Sequence, residues 1–305
     1  MNPLLVIVGP TAVGKTALSL RLAQEFPIEI LSADSRQIYR GCDIGTAKPT
    51  ADELATAPHH FINVANPDEI ITLAQFQQQA YALIAAIHGR GRLPALVGGS
   101  GQWVKAVVEG WGIPRVPPDY ALRAELEQLD PAALHAELSA VDPPAAARID
   151  ARNVRRVIRA LEVYRKTGIP ISTHQQKNPP PYDILQIGLT MPREQLYTRL
   201  DWRIDKMMER GLLAEVEALA RAGYGWQQPA LMGLGYKQVG QYLRGEVSLD
   251  EAVALIKKET RRFVRQQYNW FRLDDDRIEW LEVDGDLTGA QLRQVSGRVR
   301  AVLQL

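Results

Sequence analysis

Gly9-Pro10-Thr11-Ala12-Val13-Gly14-Lys15-Thr16 follows the apolar run Leu4-Leu5-Val6-Ile7-Val8 and precedes the helix-periodic Ala17, Leu18, Leu22 and Ala23. Strand, glycine-bounded loop and helix in that order are the setting of a phosphate-binding P-loop, and every fixed position of the G-x-x-x-x-G-K-[ST] pattern is filled. Such a loop turns successive backbone N–H groups and a helix N-terminus toward phosphate oxygens. Lys15 adds a positive charge, and Thr16 adds a hydroxyl for Mg²⁺. A phosphorylated ligand is therefore expected, but not yet a reaction.

Outward from this stretch, Ile28 to Ser32, Leu93 to Val97 and Asp183 to Thr190 read as further strands, and helical periodicity covers Leu73 to His88, Arg193 to Ala222 and Leu249 to Leu273. Strands alternating with helices predict a P-loop NTPase-like α/β fold, a doubly wound parallel sheet whose ligands sit at the carboxyl ends of the strands. Gly9, Asp34 and Gly98 all follow such ends and are expected to share one crevice. After Pro114, the prolines 117, 118, 131, 143 and 144 punctuate helical stretches, and Pro179-Pro180-Pro181 closes the region. The expected organisation is a core domain of residues 1–114 and 183–305, with a helical insertion domain at 115–182.

The chain has 305 residues, 46% of them hydrophobic and 23% charged, enough to bury a large core without staples. Cys42 is the single cysteine, which excludes an intrachain disulfide and a site of several zinc thiolates and suits a reducing cytoplasm. Neither a basic leader nor an apolar run near the roughly 20 residues of a membrane span is evident, so a soluble intracellular protein is expected. A net charge of +1 gives no argument for nucleic acid, but the charges cluster. Arg148 to Lys166 holds seven Arg or Lys against Asp150 and Glu162, and Lys257 to Arg272 holds six against Glu259, two places where an anion could dock unless they are solvated helix faces.

A second motif discriminates among P-loop proteins. Ser32-Ala33-Asp34-Ser35-Arg36-Gln37-Ile38-Tyr39 is followed by Asp43-Ile44-Gly45-Thr46-Ala47-Lys48-Pro49. Together with the P-loop, these stretches resemble the tRNA dimethylallyltransferase family, also called tRNA isopentenyltransferases. The likeness continues through Gly98-Gly99-Ser100-Gly101, Arg155-Arg156-Val157-Ile158-Arg159-Ala160-Leu161-Glu162, Gly233-Leu234-Gly235-Tyr236-Lys237-Gln238, Thr260-Arg261, Arg265-Gln266 and Trp270. Ser100 stands where the family usually has Thr, Trp103 where Tyr is common, and Asn269 where Thr often precedes the Trp. With no cysteine in the tail, the resemblance is to the compact bacterial type.

The resemblance implies transfer of a dimethylallyl group from dimethylallyl diphosphate to N6 of the adenosine 3′ of the anticodon, with Mg²⁺ and without a membrane or protein partner, by a monomer. It makes Asp34 the general base, although a carboxylate at that strand end could also hold magnesium or simply cap the turn. Lys15, Thr11 and Thr16 would serve the diphosphate, and one of Arg199 and Arg203 would clamp it unless they pair on the surface with Asp201 or Asp205. It implies tRNA contacts at Asp34, Ser35, Arg36, Gln37, Ser100, Gly101, Arg123, Arg155, Arg156, Val157, Ile158, Arg159, Gly233, Gly235, Tyr236, Lys237, Arg261, Arg265 and Gln266. His59 and His60, adjacent and without a partner at helical spacing, are read as structural rather than metal ligands. A kinase that binds ATP in the same loop and a non-catalytic P-loop RNA-binding protein are the alternatives; a GTPase is disfavoured because the guanine-reading Asn/Thr-Lys-x-Asp motif is absent.

Overall fold

The computed structural model describes residues 2–303 and contains one six-stranded sheet whose pairings are all parallel. Its strands are β1 (Pro3–Val8), β2 (Ile28–Ser32), β3 (His59–His60), β4 (Leu93–Val97), β5 (Asp183–Thr190) and β6 (Glu279–Glu282), in the order β3-β2-β4-β1-β5-β6. Leu5 and Ile7 pack in one cluster with Leu18 and Leu22 of the first helix and Val295 and Val299 of the last. Leu4, Val6 and Val8 point to the opposite face and are as deeply buried. Both faces are covered, which is why these strands read as continuous apolar runs without alternation. The P-loop-type, doubly wound α/β fold expected from the sequence is the fold found.

The helices before the insertion are α1 (Lys15–Glu25), α2 (Ala51–Thr56), α3 (Leu73–Gly89) and α4 (Gly101–Val108). Those of the insertion are α5 (Tyr120–Leu126), α6 (Pro131–Val141), α7 (Pro143–Ala146), α8 (Val154–Thr167) and α9 (Ile171–His174). After it come α10 (Arg193–Glu209), α11 (Leu212–Arg221), α12 (Tyr236–Leu243), α13 (Leu249–Trp270) and α14 (Gly289–Leu303). Capping boxes at Thr72/Gln75 and Ser248/Glu251 fix the starts of α3 and α13, because each side chain satisfies a backbone N–H that the helix leaves open. The helix expected over Arg193 to Ala222 is two helices, broken at Gly211, whose φ of 98° lies outside the helical region. Neither β3 nor β6 is evident in the sequence: one is two histidines long, and the other is an edge segment, Glu-Trp-Leu-Glu, without an apolar run.

The chain divides into two compact units, one made of residues through Val104 together with Pro181 onward, the other of Lys105–Pro180. The division falls within α4, ahead of the Pro114 break. In the second unit Asp119, Asp130 and Asp142 cap α5, α6 and α7, and Pro131 and Pro143 occupy first-turn positions. Proline suits that position because its missing N–H would be unpaired there anyway. Leu126, Leu134, Leu138, Val157, Ile158 and Leu161 form the core of this unit. No helix among the described residues is long and apolar enough to cross a membrane.

Candidate active site

β1, β4 and β2 are neighbours, with Ile7 level with Val97 and Val97 level with Ser32. Their carboxyl ends therefore bring the P-loop, the Gly98–Gly101 turn and the Asp34 turn into one cleft of about 410 Å³, as the strand pattern leads one to expect. All of its lining belongs to the first unit. Thr11 and Lys15 come from the P-loop, Asp34, Ser35 and Arg36 from the β2 turn, and Ser100, Gly101 and Trp103 from the start of α4. Leu200, Arg203 and Ile204 of α10, Gly233 to Tyr236, and Thr260, Phe263, Gln266 and Trp270 of α13 complete it.

The P-loop backbone has the geometry of an anion cradle. Gly9 has φ 143°, and a Cβ there would overlap the carbonyl oxygen of Leu189, so only glycine fits. Ala12 also takes a positive φ, of 66°. Gly14 precedes α1 without a side-chain cap, and the first turn of α1 has no acidic residue, so no side chain of that turn occupies the place an anion would take. Pro10, Val13 and Thr16 complete the loop. The ammonium of Lys15 donates to the carbonyls of Gly9 (3.0 Å) and Pro10 (2.7 Å), which leaves one of its three donors. Burial lowers its pKa from 10.5 to about 8; Asp34 opposes the shift and Arg203 adds to it.

Burial also lowers the pKa of Arg203, again with Asp34 opposing and Arg199 adding. Asp34 thus sits within electrostatic reach of two desolvated cations, and its Oδ1 accepts from the Arg36 N–H at 2.9 Å, which fixes the turn. Arg199 lies one helical turn away but points to the Gly285 carbonyl and to Asp286. Asp201 pairs with Arg261, and Asp205 with Lys257, so neither aspartate is engaged by Arg199 or Arg203. Ser100 Oγ accepts from the Ser35 N–H at 3.1 Å, a bond for which a hydroxyl suffices.

Several residues expected to contact tRNA are engaged within the protein. Val157 and Ile158 are core side chains of the second unit and are closed to RNA. Arg123 makes two bonds of 2.8 Å to Glu162, Arg159 pairs with the same carboxylate, and the Glu162 side chain has 0% exposure. Burial raises the Glu162 pKa, but Arg123, the Asp119 N–H and Arg159 outweigh it and bring the carboxyl to about 2. Arg123 and Arg159 are therefore counter-ions of a buried acid. Arg155 and Arg156 are exposed, and no ion pair is made to either among the described residues.

Tyr236, only 1% exposed, donates its hydroxyl to Glu215, and its ring forms a wall rather than a free contact. Gly235 precedes it at the start of α12, and Lys237 after it is exposed. Gln37 is bonded to Ser32 and to the carbonyls of Thr46 and Ala47. Arg265 reaches the Tyr197 hydroxyl at 3.3 Å, and with Arg261, Lys257 and Lys258 it lines a separate basic groove. His60 bonds Glu29 at 2.8 Å, and His59 bonds the Ala57 carbonyl.

A cleft residue that ties the loops together escaped the sequence reading. Gln267, 3% exposed, accepts from the Thr11 N–H at 2.9 Å and donates to the Gly99 carbonyl at 3.0 Å, so α13 holds the P-loop and the Gly98–Gly101 turn together. Its signal was a polar residue on one helix face with Thr260, Phe263 and Trp270, the four recurring at spacings of three, four and three.

Comparison with known proteins identifies the family. The model of the IPP transferase family matches residues 37–274. A tRNA dimethylallyltransferase of Roseiflexus sp. is 54% identical over 276 residues, 89% of this chain and 90% of the relative. One from Dehalococcoides mccartyi is 50% identical over 288 residues, covering 93% and 89%. Among solved structures, the tRNA isopentenylpyrophosphate transferase of Bacillus halodurans superposes with a TM-score of 0.76 at 40% identity, covering 100% of this chain and 97% of that one. A eukaryotic dimethylallyltransferase acting on tRNA gives a TM-score of 0.82 at 28% identity over 99% of this chain and 78% of that one. A family match over most of the chain, carried by relatives that share half its residues, means that this chain belongs to the IPP transferase family, the tRNA dimethylallyltransferases.

Proposed function

We propose that this chain transfers the dimethylallyl group of dimethylallyl diphosphate to N6 of the adenosine 3′ of the anticodon in tRNA. The observation that carries the reading is the convergence of Asp34, Lys15 and Arg203 in one cleft: a carboxylate able to take a proton beside two cations able to take a leaving diphosphate. The N6–carbon bond forms as the allylic carbon–oxygen bond breaks. Diphosphate departs with the bonding pair, and the N6 proton passes to Asp34. The P-loop N–H groups, Lys15 and Arg203 stabilise the charge that develops on the leaving oxygen, the largest expected contribution at about 3 kcal/mol per well-placed donor. Arg199 acts behind Arg203 rather than on the diphosphate.

The Thr16 hydroxyl, a hard oxygen donor at the start of α1, fits Mg²⁺, which takes few protein ligands and completes its shell with phosphate oxygens and water. Bound there, the ion would neutralise diphosphate charge. An anticodon-loop adenine must leave its stack to reach the cleft, at a cost of a few kcal/mol. This reading retains as tRNA contacts the cleft-lining Ser35, Arg36, Ser100, Gly101, Gly233 and Gly235 and the exposed Arg155, Arg156, Lys237, Arg265 and Gln266, and a tRNA substrate suits a cytoplasmic protein. Parallel incubations with labelled dimethylallyl diphosphate and unmodified tRNA, and with labelled ATP and candidate acceptors, test it. Prenyl transfer is expected; phosphoryl transfer alone would establish a kinase, and neither would leave an RNA-binding protein.

A further inference from the structure

We propose that Glu215, on α11, is a positioning residue for the acceptor base: it fixes the Cys42–Thr46 wall of the cleft and, through Gln37, the turn that carries Asp34. The proposal rests on the prenyl-transfer reading above. Oε2 of Glu215 accepts from the N–H groups of Asp43 (2.9 Å) and Ile44 (2.8 Å), and Oε1 from the N–H of Gly45 (3.1 Å) and the hydroxyl of Tyr236 (2.5 Å). Three successive backbone donors form a concave nest that attracts an anion, and a carboxylate of the chain itself fills it. Gly45 lies flat against the Tyr236 ring, where a Cβ would approach to 2.6 Å.

The far end of this wall is tied to the chemistry. Gln37 Nε2 donates to the Ala47 carbonyl at 3.2 Å, and its Oε1 accepts from the hydroxyl of Ser32, two residues before Asp34. Cys42, Gly45 and Thr46 line the same cleft as Asp34, Ser35 and Arg36. The P-loop is held by a different residue, Gln267. A disturbance at Glu215 therefore passes to the wall and the Asp34 turn and leaves the diphosphate cradle in place. Glutamine cannot substitute, because whichever way its amide turns, the NH₂ group meets at least one backbone N–H donor.

The test measures transfer from labelled dimethylallyl diphosphate to an unmodified anticodon stem-loop RNA, with donor affinity from direct titration and thermal melting in parallel. E215Q is expected to lower kcat/KM for RNA by at least about tenfold, with the Kd for dimethylallyl diphosphate within about twofold of wild type. E215D, which keeps both oxygens, should fall between. Y236F, which keeps the ring on Gly45 and loses one donor, should shift kcat/KM in the same direction by less. Wild-type kcat/KM in E215Q, or equal losses in RNA turnover and donor affinity, would overturn the role. Should E215Q not fold, unchanged RNA kinetics in Y236F would do so. No transfer by the wild-type chain would remove the prenyl-transfer reading itself, a result distinct from either.

Discussion

Asp34 leaves β2 on a turn closed by its own side chain, so Asp34→Asn keeps the shape while removing a base. A fall in kcat of at least about 10²-fold with unchanged RNA affinity is expected, measured by single-turnover transfer and filter binding. Near-normal turnover would take Asp34 out of the mechanism. Lys15 makes the donor site sensitive to pH. Burial disfavours its charge, so in the free protein it loses its proton near pH 8 rather than 10.5. The kcat/KM for dimethylallyl diphosphate should therefore fall as pH rises through about 8; a profile flat from about pH 7 to 10 would contradict the desolvated site. Lys15 was legible in the sequence because its role is set by neighbours within one loop. The choice between Arg199 and Arg203 was not, because it depends on Gly285 and Asp286, far along the chain.

The elements of the second unit hold some charges in buried pairs and leave others facing solvent. Glu162 on α8 is held ionised by Arg123 on α5 and Arg159 on its own helix. Glu162→Gln would leave two guanidinium groups facing an amide, at a cost of about 3 kcal/mol to this unit, read by hydrogen exchange of α5 and α8. Because the folded-state pKa of Glu162 lies below its ordinary 4.5, its contribution is complete above that pH and fades as pH falls toward about 2. Arg155 and Arg156 are exposed, and under the proposed RNA contact the double alanine variant should flatten the slope of log K against log salt by up to about two units. An unchanged slope would make them a solvated face. From sequence, the helix and its basic character were clear. The arginines that serve Glu162 could not be told from those that face solvent, since an i,i+3 or longer-range pair depends on which side of the helix is buried.

Across the whole molecule, the P-loop, the Asp34 turn and the Gly98–Gly101 turn meet because three neighbouring parallel strands end level. That convergence was readable from buried apolar runs followed by glycine or aspartate, signals that depend on burial of both sheet faces. The sheet's edges were not readable: β3 and β6 are short, polar and defined by pairing to β2 and β5 alone. Nor were the ties that make the cleft one object, Gln267 from α13 and Glu215 from α11, since each is a single polar residue whose backbone partners lie over a hundred positions away. The most direct check of the central claim is to incubate the purified chain with dimethylallyl diphosphate and unmodified tRNA, then map the modified nucleotide by nuclease digestion and mass spectrometry. The expected product is N6-dimethylallyl adenosine immediately 3′ of the anticodon, with release of diphosphate. Prenylation at another position, or unmodified tRNA from an enzyme that binds both substrates, would contradict it.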